Sequence, residues 1–147
     1  MSIDERDSVA IQFGVSPEQV ERDHLISHLL AAISRGFGDR LHFIGGTALA
    51  RTHLVSGRLS EDIDLVALDN RTVLAAELDA ALPRSVARKY GRLEWAPSLS
   101  NVSDTGVANL RSASGVRQDP VAVGTRPNGV ADRTPRSRAA IQRRAAG

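Results

Sequence analysis

The chain has 147 residues, enough for one domain with a modest core. Hydrophobic residues make up 41% and charged residues 24%, with a formal net charge of +2, the balance of an ordinary globular protein. The lack of cysteine excludes a disulfide framework, a thiolate nucleophile and a cysteine-based zinc site, while the lack of a long apolar run and an acidic start argue against a membrane span or secretory signal and for the cytoplasm.

Residues 1–15 read as an N-terminal arm. Ser16-Pro17-Glu18-Gln19 is a capping box with proline at the first helical position, and Val15 and Val20 stand where a hydrophobic staple forms. Ile26, Leu29, Leu30, Ile33 and Phe37 then share one face at helical spacing, and Gly36 and Gly38 end the helix. Leu41 to Ile44 reads as a short buried strand. Gly45-Gly46-Thr47 makes a turn, and Ala48 to Leu54 a helix-like stretch. Ile63 to Leu68 is an apolar strand with acids at its start. Asn70 or Asp69 caps the next helix, whose face is Val73, Leu74, Leu78, Ala81 and Leu82, and Pro83 stops it. Leu93 to Ala96 reads as a strand. Val107 to Leu110 and the residues from Val116 form a hairpin about Ser112 to Gly115.

The composition then changes. Residues 119–147 hold no leucine and no aromatic, but three prolines, three glycines and six arginines. Such a segment buries too little to offset its ordering entropy, so it is expected to be disordered. Met1 to Glu94 carry 14 acids against 11 basic residues, and the rest of the chain 3 acids against 8 arginines. The folded core is therefore placed at 16–118, and the net charge belongs largely to the tail.

The chemistry concentrates between Phe43 and Leu68. Two glycines let a backbone approach phosphates closely, and a helix start offers free N–H groups to an anion. On a strand, Asp62 and Asp64 point to the same side. Two carboxylates so close repel one another and favour a cation between them, and a hard divalent ion such as Mg²⁺ prefers these oxygens. His24 and His28 are four apart on one helix face, but no acidic pattern accompanies them to make a zinc site.

Phe43-Ile44-Gly45-Gly46-Thr47-Ala48-Leu49, followed by Arg58-Leu59-Ser60-Glu61-Asp62-Ile63-Asp64-Leu65, resembles the signature of the AbiEii/AbiGii toxin family. The resemblance covers about His24 to Gln118. It implies an α+β, DNA-polymerase-beta-like nucleotidyltransferase core, a short mixed sheet with flanking helices. It also implies the toxin of a type IV toxin–antitoxin pair, with a cognate antitoxin as partner. Gly45, Gly46 and Thr47 would grip the phosphates of a nucleoside triphosphate, with Ser60 beside them and Arg58 neutralising charge. Asp62 and Asp64 would ligate Mg²⁺. The reaction implied is nucleotidyl transfer to a hydroxyl of RNA, in some members tRNA, or of protein, with loss of pyrophosphate. The family's later lysine and further carboxylate have no clear counterpart. Lys89 is the only lysine and lies too early, and Asp104 and Asp119 are the candidates for a third carboxylate. Two alternatives follow: a truncated, inactive relative that keeps nucleotide and metal binding, or a non-catalytic module that binds RNA or the antitoxin.

Overall fold

The computed structural model describes residues 1–52, 59, 61–114 and 120–128, without the side chains of Ala50 and Thr52. Helix α1 spans Ile3–Phe13 and α2 Pro17–Phe37. Strand β1 (Leu41–Ile44) leads directly into α3 (Gly45–Thr52), and β2 (Asp62–Ala67) into α4 (Arg71–Tyr90). Strand β3 (Leu93–Trp95), a 3-10 turn (Leu99–Asn101), β4 (Val107–Ser112) and β5 (Val121–Pro127) follow.

The five strands form one sheet in the order β1-β2-β5-β4-β3. Only β2 and β5 pair in parallel; the other neighbours are antiparallel. Alternate residues of the strands enter a single core. Ile63, Leu65, Ala108, Leu110, Val121 and Val123 meet Ile26 and Leu29 of α2 and Leu74, Leu78 and Leu82 of α4, all 0–1% exposed. The intervening residues, Asp62, Asp64, Ala122, Gly124 and Arg126 among them, point away from it. No helix among the described residues is long and apolar enough to cross a membrane.

The expectations for the last part of the sheet are corrected. The core does not end at 118, and the expected disorder does not hold for 120–128: Val121–Pro127 is the strand between β2 and β4. Two valines at 0% exposure contribute roughly 1.5–3 kcal/mol each, and both edges of the strand are hydrogen-bonded. The tail composition diluted this short Val-x-Val-x-Thr alternation; residues 129–147 lie outside the described residues. The second strand of the expected hairpin begins at Val121 rather than at Val116, while β4 ends at Ser112; residues 115–119 lie outside the described residues.

The N-terminal arm is largely helix. The Ser2 hydroxyl accepts from the Glu5 N–H at 3.2 Å, and the Glu5 carboxylate accepts from the Ser2 N–H at 3.3 Å. Gly14 ends it at φ 63°, and Arg6 ties it to Glu21 of α2 at 2.9 Å. Only Ala10 of this helix is buried, so no apolar stripe marked it.

Pro83 does not stop α4, which continues to Tyr90. Proline lacks the N–H that would bond the carbonyl four residues back, at Asp79. The Trp95 indole N–H donates to that carbonyl instead, at 2.9 Å. The Asp79 carboxylate also accepts from the backbone N–H groups of Leu99 and Ser100, at 2.8 and 3.0 Å. The helix break is thereby turned into the seat of β3 and the 3-10 turn. The Asn70 side chain caps α4, accepting from the Val73 N–H at 3.1 Å.

Candidate functional site

The Asp62–Asp64 pair sits at the start of β2, on the face of the sheet away from the core. The strand alternates because Ile63, Leu65 and Ala67 are drawn into the core, which leaves the acids half-buried outside it. The turn expected at Gly45-Gly46-Thr47 is already helical, and α3 begins at Gly45 itself with φ 83°. Gly45 and Gly46 are exposed, and this first turn lies beside β2.

The two carboxylates are held differently. Thr47 is 1% exposed, and its hydroxyl donates to Asp62 Oδ1 at 2.8 Å. Its hydroxyl is therefore engaged with the carboxylate, whereas the expectation put it on a phosphate. Asp64 lies between two glycines. A Cβ at Gly45 would stand 2.5 Å from Asp64 Oδ2, and one at Gly124 would stand 3.0 Å from Oδ1. Gly45 also holds a left-handed φ that disfavours any side chain, so it is fixed twice over. Gly124 is the register partner of Asp64 in the parallel β2–β5 pair.

Burial pushes the Asp64 carboxyl above the ordinary carboxylate range; the charge of Asp62 adds to this, and Arg126 opposes it. A carboxylate destabilised by its neighbour is one whose ionised form a cation would restore. Two hard oxygen donors at alternate positions on one face of a strand fit Mg²⁺, which commonly takes one or two carboxylates and completes its shell with water and phosphate. Among the described residues no group of three or more histidines and acids is placed to hold a metal. Asp104 is instead paired with Arg71 at 3.3 Å, whose guanidinium also donates to the carbonyls of Thr125, Val102 and Ser103. Asp119, Arg58 and Ser60 lie outside the described residues. The neighbours of Asp62 and Asp64 on β5 are Ala122 and Gly124.

Two features were not legible in the motif. Arg51 of α3 pairs with Asp23 at 2.8 Å and donates to the Ser27 hydroxyl at 2.9 Å, fixing α3 to α2. A second polar cluster joins α2 and α4. His24 Nδ1 is hydrogen-bonded to the Tyr90 hydroxyl, and Lys89 Nζ lies 3.4 Å from His24 Nε2 and 2.9 Å from His28 Nε2. Burial and the Lys89 charge lower the pKa of both histidines, and burial raises Tyr90 to about 12. The i, i+4 histidines were visible in sequence, but their partners lie more than sixty residues away.

A family model described as nucleotidyl transferase AbiEii toxin, type IV TA system, matches residues 28–125. Among solved structures, the chain is similar to MenT4, a nucleotidyltransferase toxin from Mycobacterium tuberculosis H37Rv, with a TM-score of 0.51 and 23% identity. That match covers 82% of this chain and 43% of MenT4, so the chain spans less than half the length of that protein. The likeness shows a shared fold. No curated protein matches by sequence. The family match runs to Thr125 and so includes most of β5, in agreement with the sheet.

Proposed function

Because the chain belongs to the AbiEii family of nucleotidyl transferase toxins, we propose that it transfers a nucleotidyl group from a nucleoside triphosphate to an acceptor hydroxyl. The observation that carries this reading is the Asp62–Asp64 pair beside the glycine start of α3, with Asp62 fixed by Thr47 and Asp64 set between Gly45 and Gly124. Asp62 and Asp64 are the residues that would hold Mg²⁺. When bound, the ion would neutralise charge on the phosphates and on the carboxylates themselves. Gly45 and Gly46 leave the first turn of α3 open to a phosphate, whose charge the N-terminal end of the helix dipole favours. Ser60 and Arg58 are assigned to the same triphosphate by their place in the motif.

In the reaction the acceptor hydroxyl oxygen forms a bond to the α-phosphorus and gives up its proton to water, the bond from that phosphorus to the bridging oxygen breaks, and pyrophosphate leaves. Thr47 keeps Asp62 in one orientation and leaves its other oxygen unclaimed by that bond. The acceptor is assigned to RNA, with tRNA as the first candidate, the partner to a cognate antitoxin and the compartment to the cytoplasm. The acceptor and the partner rest on the family, and the compartment on the composition of the sequence.

The test is transfer of label from each radiolabelled nucleoside triphosphate to total RNA with Mg²⁺, using the wild type, Asp62→Asn and Asp64→Asn. Labelling by the wild type and its loss in both variants supports the reading. No labelling with any of the four triphosphates refutes catalysis. One observation favours a binding-only relative: no third carboxylate stands beside the pair among the described residues. Metal-dependent triphosphate binding without transfer would establish that alternative.

A further inference from the structure

Strand β5 brings one more group to the carboxylate face. Val121, Val123 and Thr125 are buried, so Ala122, Gly124 and Arg126 stand on the opposite side. In the parallel register these three lie beside Asp62, Asp64 and Val66. Neighbours in register point to the same side, so Arg126 rises from the face that carries the two acids, one pleat beyond Asp64. The residues of β5 beside the acids are alanine and glycine, too small to screen them from it.

Among the described residues Arg126 is also uncommitted. Arg6, Arg40, Arg51, Arg71 and Arg92 each pair with a carboxylate. Arg126 is exposed and forms no hydrogen bond or ion pair among the described residues. Its charge reaches Asp64 without a direct bond, so the guanidinium remains available to a ligand.

We propose that Arg126 binds a phosphate group of the substrate brought to Asp62 and Asp64. Guanidinium offers two parallel N–H donors that match two phosphate oxygens, a geometry lysine lacks. The phosphate comes either from the triphosphate or from the backbone of a nucleic-acid acceptor, and the chemistry is the same. The proposal rests on reading the carboxylate pair as the magnesium and triphosphate site.

The experiment titrates the full chain, in Mg²⁺, with a non-hydrolysable nucleoside triphosphate and, separately, with single-stranded RNA. Wild type, Arg126→Gln, Arg126→Lys and Arg111→Gln are compared by calorimetry. Arg111 is an exposed arginine of β4 on the same face, but β5 separates its strand from Asp64, so it controls for general charge. Arg126→Gln should weaken one ligand about 10–100-fold, the range for a lost charge-assisted hydrogen bond. Arg126→Lys should regain part of that loss, and Arg111→Gln should change binding less than about threefold. A loss confined to the triphosphate assigns the phosphate to it; a loss confined to RNA assigns it to the acceptor. Equal losses in Arg126→Gln and Arg111→Gln, or no loss in Arg126→Gln, overturn the proposal while leaving the carboxylate site standing. Failure of the wild type to bind either ligand in Mg²⁺ overturns the site reading and this proposal together.

Discussion

The two faces of the sheet are made by alternate residues of the same strands, yet they are built to opposite rules. On the covered face Ile63, Leu65, Val121 and Val123 are 0–1% exposed against α2 and α4, and every contact there favours folding. On the other face Asp62 and Asp64 stand within each other's field, beside two glycines and an alanine that contribute no packing. One residue along the chain separates a position selected for burial from one that costs stability. A folded state that holds like charges together has its compensation on the covered face, and a ligand that relieves the repulsion will bind and stabilise the fold at once.

Adjacent substitutions break this contrast most directly. Ile63→Ala should destabilise by about 2–5 kcal/mol through lost burial and a cavity, read by urea unfolding. An effect under about 0.5 kcal/mol would mean that β2 is not a core strand. Thr47→Val removes the donor to Asp62 and should cost about 1.5–3 kcal/mol, since the bond is to a charged group. It should also raise the Mg²⁺ concentration needed for triphosphate binding, whereas Thr47→Ser should restore it. An unchanged Mg²⁺ requirement in Thr47→Val would deny the threonine a role in placing Asp62.

Val123→Thr tests the strand that composition concealed. It buries a hydroxyl where a methyl stood, and should cost about 1–3 kcal/mol if β5 is central. A neutral result would return residues 121–127 to the tail.

Asp64→Asn should act in the other direction. The folded pKa of Asp64 lies above its unfolded value, so the native state retains a proton that the unfolded chain has released. Stability therefore falls as pH rises from the ordinary carboxylate value through the folded pKa, and is flat above it. The amide variant should melt a few degrees higher than wild type near pH 7, and the difference should vanish in acid where Asp64 is protonated in both states. A lower melting temperature at pH 7 would show that the carboxylate is stabilising. The smallest effect is expected at the second polar cluster. Lys89→Met removes a positive charge near His24 and His28, so both histidine pKa values, followed by NMR, should rise. They should stay below the ordinary value because burial is the larger cause.

Much of this could be read along the chain. The capping box at Ser16, the apolar stripe of α2, the Asn70 cap and the alternation of half-buried and buried residues along β2 are local signals, and each depends on residues within a few positions of one another. The Gly45-Gly46-Thr47 and Asp62-x-Asp64 motif was legible for the same reason, because it lies on one strand–helix–strand passage. Helix α1 and the continuation of α4 past Pro83 were not. Ser2 and Glu5 cap a helix with almost no buried face, and the carbonyl freed by Pro83 is satisfied by Trp95, sixteen residues from Asp79. No local pattern encodes such a partner.

The sequence by itself determined where α2 and α4 begin, which residues of β2 alternate, and that two acids and two glycines share one short segment. Periodicity, capping and strand geometry act over a few residues, so the linear order carries them. Tertiary structure alone decided that Val121–Pro127 lies against β2, that Gly124 rather than an acid neighbours Asp64, that Thr47 holds Asp62, and that Arg126 stands on the same face of the sheet as the pair. Those facts depend on strand order and register. Both are settled by long-range pairing and by which hydrophobic faces meet, which no local window of the chain contains.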